Sequence, residues 1–375
     1  MRPRRSYEKT VDIVYVLGTR PEIIRSAPII SELSKRDDVS LHLVHTGQHY
    51  EHDMSGIFLD ELKLPDIPIN LEVGSGSDGW QTAEIMKRTE KVLDDLKPDL
   101  LCVFGDTNST LGAALAAVKV QVPVVHIEAG ARSFNLRMAE EVNRRLVDHC
   151  SSLLLAVSDN CANNLKKENV LGDIHVVGDP LYDCFSSNVS EASKLNILGS
   201  LGLKKNDYII LTLHRAENVD HKETLGNIIQ ALVEIEELRI AFPVHPRTKR
   251  KLLEFGLCDQ LKKSNVVPLR PLKYGETLNL LLNSELVMTD SGGLQKEAFW
   301  AKAPCLTLRD VTEWVETVSL GVNYLGGNSK DTISTAFRYI MDHYDEIKRR
   351  LERAVNPYGD GSAAAKIAKA LLSSR

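Results

Sequence analysis

Apolar runs of strand length alternate almost throughout with stretches whose apolar residues recur at helical spacing, the pattern of βαβ units and parallel sheets. Strands are expected near 12–17, 40–45, 99–104, 123–127, 152–157 and 174–177, with helices near 21–35, 80–96, 108–119, 139–149 and 158–168. A second series has strands near 208–213, 239–244, 265–269, 285–289, 304–307 and 322–324, and helices near 222–237, 247–255, 274–283, 293–301 and 329–353. Between them, Gly178-Asp179-Pro180 and the polar 186–200 region break the alternation and mark a junction. The chain therefore reads as two Rossmann-like, doubly wound α/β domains, residues 1–185 and 186–355. Residues 356–375 then form a terminal helix that turns back across the junction, after Asn356-Pro357-Tyr358-Gly359-Asp360-Gly361 interrupts a helical pattern.

Polar groups fall where such sheets bind ligands, in the crevice beyond the carboxyl ends of the strands. Glu128 ends one apolar run, and Glu140 opens the next helix. Gly105-Asp106 follows another run, Gly18-Thr19-Arg20-Pro21-Glu22 the first, His214 the first of the second series, and Asp290-Ser291-Gly292-Gly293 a later one. Asp106, Glu128, Glu140 and His214 are four titratable groups that a cleft between the halves would bring together for acid–base work. For Asp106 the competing reading is a helix N-cap, and Glu140 and Glu141 would also favour a helix N-terminus without doing chemistry.

The glycines of Ser291-Gly292-Gly293 let backbone N–H groups approach a phosphate at a helix start, and Glu297, one turn in, suits a ribose diol. Arg20 and Arg25 flank Pro21 at the start of the first helix and are placed to grip a pyrophosphate. His245 ends a strand of the second half and is a candidate contact for a base or phosphate. The stretch Gln48-His49-Tyr50-Glu51-His52-Asp53 has superficial metal-ligand spacing, but a polar loop at the cleft mouth is the better reading, since nothing nearby completes a coordination set.

Bulk properties narrow the classes. At 375 residues the chain suits two cores, and 43% hydrophobic with 26% charged residues fits a soluble globular enzyme. A net charge of −5 gives no overall drive toward nucleic acid or anionic membrane, so an anionic ligand must be held by local arginines and backbone amides. No apolar run spans a bilayer and no signal-type cleavage pattern follows the basic N-terminus, so a cytoplasmic location is expected. Six cysteines without a Cys-x-x-Cys spacing predict free thiols and no structural metal. Neither a nicotinamide fingerprint nor a Walker lysine is present, and no cofactor is expected.

Taken together, Gly18-Thr19-Arg20-Pro21-Glu22, Thr46-Gly47-Gln48-His49, Gly105-Asp106-Thr107, His126-Ile127-Glu128-Ala129-Gly130, Glu140-Glu141-Val142-Asn143-Arg144, His214-Arg215-Ala216-Glu217-Asn218, Asp290-Ser291-Gly292-Gly293 and Asn356–Gly361 resemble the non-hydrolysing UDP-N-acetylglucosamine 2-epimerases over nearly the whole chain. The resemblance implies a glycosyltransferase B-type fold with the active site in the interdomain cleft, usually as a homodimer. It implies removal of the C2 proton, departure of UDP to give 2-acetamidoglucal, and re-addition to give UDP-N-acetylmannosamine. Asp106, Glu128, Glu140 and His214 match catalytic or near-catalytic positions. Arg20, Arg25, His245, Ser291, Gly292, Gly293 and Glu297 match positions around UDP, with Arg144 near the sugar. Gln48 and His49 match a loop that in bacterial relatives helps bind a second UDP-N-acetylglucosamine as activator. The chain departs from the pattern at Arg25 (usually lysine), Ala139 (usually proline), Tyr50, and Trp314-Val315 in place of Arg-Pro. Rival readings are a hydrolysing epimerase, whose relatives read Thr-Arg-Ala-Asp-Tyr near the first glycine, a glycosyltransferase with a separate acceptor, and a non-catalytic sugar-nucleotide sensor.

Overall fold

The computed structural model describes residues 10–48, 64–65, 67–262 and 264–373. It divides into two units, Met1–Cys184 with Pro357–Arg375, and Phe185–Asn356. The first carries a parallel sheet of β1 (Val11–Leu17), β2 (Val39–His45), β3 (Ile69–Asn70), β4 (Leu100–Phe104), β5 (Val124–Ala129), β6 (Leu153–Ala156) and β7 (Asp173–Val176), in the order β3-β2-β1-β4-β5-β6-β7. The chain builds outward from β1 in one direction, then jumps back to β4 and builds in the other. That reversal opens a crevice at the carboxyl ends of β1 and β4.

The second unit repeats the scheme with β8 (Tyr208–Thr212), β9 (Arg239–Pro243), β10 (Val266–Leu269), β11 (Leu286–Thr289), β12 (Cys305–Thr307) and β13 (Asn323–Leu325), all parallel in the order β10-β9-β8-β11-β12-β13. Its reversal lies between β8 and β11.

The central strands β1, β4, β5, β8 and β11 are largely apolar, without alternation, because both faces of each sheet are covered there. In the first unit the two-residue period sorts β1 between two cores. Ile13, Tyr15 and Leu17 join Cys102, Phe104, Val125 and Ile127 on one face, under Ile23, Ile29, Ile30 and Leu33 of the helix Arg20–Leu33 and Ile367 and Leu371 of the terminal helix Ala363–Ser373. Val14 and Val16 join Leu101, Val103 and Val124 on the other, under Ile85 and Leu93 of the helix Asp78–Leu96 and Leu111, Ala113 and Ala117 of the helix Asn108–Lys119. Each fully buried aliphatic side chain contributes about 1.5–3 kcal/mol relative to exposure. The terminal helix is tied in at its start, where the Asp183 carboxylate accepts the N–H groups of Ala363 and Ala364.

Short helices at Ile197–Ser200, Ala216–Val219, Cys258–Lys262 and Val315–Ser319 lie outside the sequence expectation, and three further departures have clear causes. Residues 180–193 form a helix inside the region read as irregular, because Pro180 takes a first-turn position and Leu181, Cys184, Phe185 and Ala192 supply a buried stripe within polar surroundings. The helix expected over 329–353 is two, Lys330–Asp342 and Tyr344–Arg353, broken at His343 without a glycine or proline. The two-residue edge strand β3 is too short to register as an apolar run. Among the described residues, no helix is long and apolar enough to cross a membrane.

Candidate active site

In the first unit the crevice is organised around Glu22, whose side chain is 1% exposed. Its carboxylate accepts the N–H groups of Gly18 at 2.7 Å and Thr19 at 2.9 Å and the Thr107 hydroxyl at 2.7 Å. It thereby ties the end of β1 to the end of β4. Burial raises its proton affinity, against the pull of these donors.

Two carboxylates face Arg25, one turn along that first helix. At the end of β5 the pairing with β6 slips between Ile127 and Ala129, and Glu128 takes φ +71°. A non-glycine residue held in that region costs about 1–3 kcal/mol and persists only where its surroundings fix it. Arg25 Nη1 donates to both Glu128 oxygens at 2.8 Å, and its guanidinium lies 4.9 Å from the centre of the Phe104 ring. Burial alone would loosen the Arg25 proton, but Glu128, Asp106 and Glu22 overcome this and hold the guanidinium charged.

The Asp106 reading as a helix cap does not hold. Thr107 is the N-cap of Asn108–Lys119, its side chain accepting from Thr110, while Asp106 is paired with Arg144 Nε at 2.9 Å. Arg144 also reaches Glu141 at 2.7 Å. Glu141, not its neighbour Glu140, is the buried acid of that helix start, accepting from the Ser133 N–H and hydroxyl and from Arg145. Burial pushes its carboxyl up, but these donors and Arg144 hold it below the ordinary carboxylate range. Glu140 stands half-buried in the first turn of the helix Ala139–Cys150, and Arg20 is half-buried as the first residue of its own helix. Gln48 is half-buried with its side-chain oxygen bonded to Ser109 N at 3.1 Å and Oγ at 2.6 Å; His49 lies outside the described residues.

In the second unit, His214 and Asp290 flank the reversal between β8 and β11. Asp290 is fully buried and accepts the N–H groups of His214 at 2.9 Å and Arg215 at 2.8 Å, with His214 Nδ1 at 3.3 Å from its other oxygen. His214 is 38% exposed. Partial burial draws its proton affinity below that of an ordinary imidazole, Arg215, Arg247 and Arg309 act in the same direction, and Asp290 opposes them. The His245 ring lies 5.8 Å from that of His214. Ser291 starts the helix Gly292–Trp300 without a side-chain capping bond, so the first-turn N–H groups beside Gly292 and Gly293 are directed to whatever occupies the turn. Glu297 accepts the Tyr274 hydroxyl at 2.9 Å. Lys296 is fully buried with its ammonium 3.5 Å from the centre of the Trp314 ring, where the chain departs from the epimerase pattern.

The first unit thus brings Arg25, Asp106, Glu128 and Arg144 together, and the second places His214, His245 and the Ser291 turn along one sheet end. Glu22 and Glu141 went unrecognised as individual residues. For Glu141 a signal existed, because Arg144 and Arg145 stand three and four residues on, on its own helix face.

Residues 31–372 match the family model described as UDP-N-acetylglucosamine 2-epimerase. The UDP-N-acetylglucosamine 2-epimerase of Methanocaldococcus jannaschii is 44% identical over 364 residues, 95% of this chain and 97% of that protein. A UDP-2,3-diacetamido-2,3-dideoxy-D-glucuronate 2-epimerase of Pseudomonas aeruginosa is 38% identical over 365 residues, 96% of this chain and 99% of that protein. The crystal structure of the Methanocaldococcus jannaschii UDP-GlcNAc 2-epimerase in complex with UDP-GlcNAc and UDP matches with a TM-score of 0.88 at 42% identity, covering 96% of this chain and 99% of that one.

Proposed function

This chain belongs to the UDP-N-acetylglucosamine 2-epimerase family, and from that premise we propose that it interconverts UDP-N-acetylglucosamine and UDP-N-acetylmannosamine without hydrolysis. The observation that carries the reading is the pair of carboxylates, Asp106 and Glu128, acting on one guanidinium at the ends of adjacent strands. In the forward half-reaction a carboxylate takes the C2 proton, the C–H electrons form the C1=C2 bond, and the C1–O bond breaks with its electron pair leaving on UDP. Reprotonation of 2-acetamidoglucal on the opposite face, with return of UDP to C1, completes the change.

Each residue type suits a step. Proton transfer on opposite faces needs more than one acid–base group, which Asp106, Glu128 and Glu140 supply. The departing diphosphate gains negative charge, which the uncapped helix start at Gly292-Gly293 and neighbouring cations stabilise. We assign Arg20, His245, Ser291, Gly292, Gly293 and Glu297 to UDP, Arg144 to the sugar side, and His214, mostly neutral at pH 7, to a proton-accepting role beside them. Arg25 we assign to Glu128 more than to the pyrophosphate, since its guanidinium is committed there. The reaction changes neither redox state nor composition, so no cofactor is consumed.

The Pseudomonas aeruginosa relative supports a second reading, the same 2-epimerisation on a 2,3-diacetamido uronate; comparing kcat/KM for the two sugar nucleotides decides between them. The mechanism is tested by incubating UDP-N-acetylglucosamine with the protein in deuterated water. We expect UDP-N-acetylmannosamine carrying deuterium at C2. Free N-acetylmannosamine as the main product would establish the hydrolysing route, and unlabelled UDP-N-acetylmannosamine would reject proton removal at C2. Gln48 and His49 as an activator site predict sigmoidal dependence of rate on UDP-N-acetylglucosamine, and an assembled homodimer predicts twice the chain mass by sedimentation.

A further inference from the structure

Beneath the two carboxylates lies a buried charge network that the proposed reaction does not use. His126, fully buried within β5, has its Nε2 2.7 Å from the Gly105 carbonyl oxygen and its Nδ1 2.6 Å from Asp148 Oδ1. A carbonyl oxygen only accepts, so Nε2 carries hydrogen. Asp148, also fully buried, accepts on its other oxygen from Arg132 at 2.7 Å and from the Gly130 N–H at 3.2 Å. Burial works to protonate Asp148, yet the Arg132 guanidinium and the Gly130 N–H that donate to it favour the ionised form. An ionised carboxylate also only accepts, so Nδ1 must carry hydrogen as well.

We infer that His126 is a positioning residue that donates from both ring nitrogens, clamping the two strand ends that present Asp106 and Glu128. The inference rests on the assignment of those two acids under the proposed function. One side of the ring fixes Gly105, the residue before Asp106. The other side, through Asp148, fixes Gly130, two residues past Glu128. A neutral imidazole has a single N–H and would surrender one of the two ends. The surroundings balance the charge: Arg132 reaches Glu168 at 2.8 Å, and Arg145 and His149 approach Glu168 at 3.6 Å, so cations and anions alternate outward from the ring.

The same network accounts for the bulge. Gly130 has φ +81°, and a Cβ there would meet the Cys161 carbonyl oxygen at 2.2 Å. The chain after Glu128 therefore has one path, and the Asp148 bond holds it there. Displacing Glu128 or Asp106 by about an ångström is enough to cost on the order of 100-fold in rate.

Two measurements test the inference. Nitrogen-15 NMR of the histidine side chains in the wild-type protein at neutral pH should show one ring with both nitrogens protonated, absent from the His126 variants. A wild-type spectrum without such a ring overturns the inference, even where the variants fail to fold. In turnover, His126→Asn keeps a donor toward Asp148 but none toward Gly105, whereas His126→Gln places its amide near the Nε2 position. We expect kcat to fall on the order of 100-fold in His126→Asn, with His126→Gln recovering about tenfold of the loss and UDP affinity by calorimetry unchanged in both. A kcat for His126→Asn within about threefold of wild type overturns the clamp. The NMR result does not depend on the reaction catalysed, so an inactive wild type would reject the proposed function and leave the proton count standing on its own.

Discussion

Arg25 Nη1 is equidistant, at 2.8 Å, from the two carboxylate oxygens of Glu128, a residue 103 positions away on the neighbouring side of the crevice. With side chains 14% and 5% exposed, the pair is too dry for water to replace a missing partner. Removing one member of a buried pair strands the other and costs about 3–5 kcal/mol, whereas removing both charges is often close to neutral. Arg25→Met is therefore expected to destabilise the protein by about 3 kcal/mol, and adding Glu128→Gln to restore most of the loss. Urea unfolding of the two single variants and the double variant measures the coupling. Strictly additive losses would mean that the two side chains act independently.

Glu128 also carries backbone strain that its side chain does not explain. Its φ of +71° suits glycine, and in a strand glycine is ordinarily the weaker residue by about 0.5–1 kcal/mol. Here the order should invert: Glu128→Gly and Glu128→Ala lose the same contact with Arg25, but only glycine sheds the strain. Glu128→Gly is expected to unfold later than Glu128→Ala by about 1 kcal/mol. Thermal melts of the two side by side decide it, and an alanine variant at least as stable would show that the bulge relaxes freely.

How far the sequence reaches is visible at these residues. The central strands were legible because both faces of each sheet are covered there, which leaves long apolar runs. Glu128 and Asp106 were legible because an acid at the end of such a run has no packing reason to be there. What the sequence did not disclose was the pairing. Arg25 stands at a helix start that is a natural anion site, and only the fold shows that Glu128 of β5 is paired with it. His126 and Asp148 are 22 residues apart, and nothing local says that a strand and the following helix aim them at each other. The helix Pro180–Ser193 was missed for a related reason: its apolar stripe is diluted by serines and acids, and burial, not propensity, makes it helical.

The two adjacent glutamates at the start of Ala139–Cys150 should separate cleanly into structure and chemistry. Glu141 satisfies the Ser133 N–H and two arginines in a fully buried setting, so Glu141→Ala leaves those donors stranded. A loss of about 2–4 kcal/mol is expected, read as a lowered melting temperature. Glu140→Gln is expected to melt as the wild type does and to lose at least about 100-fold in the rate of deuterium exchange at C2. A Glu140→Gln variant that turns over normally would remove that residue from the proposed chemistry.

His214 supplies the pH dependence. Partial burial, helped by Arg215, Arg247 and Arg309, lowers the proton affinity of its ring, and Asp290 raises it. The unfolded chain binds that proton with the ordinary midpoint of about 6.5. As pH falls through that value the unfolded state takes up the proton first, so stability declines with falling pH until the folded ring is protonated too. Asp290→Asn keeps an oxygen for the N–H groups of His214 and Arg215 while removing the charge. Its effect should be to push the folded midpoint lower still and widen the window over which acid destabilises the protein. Proton NMR titration of the His214 ring reads both midpoints directly. A wild-type midpoint at or above about 6.5, or an upward shift in Asp290→Asn, would mean that Asp290 does not act on His214 as a charge.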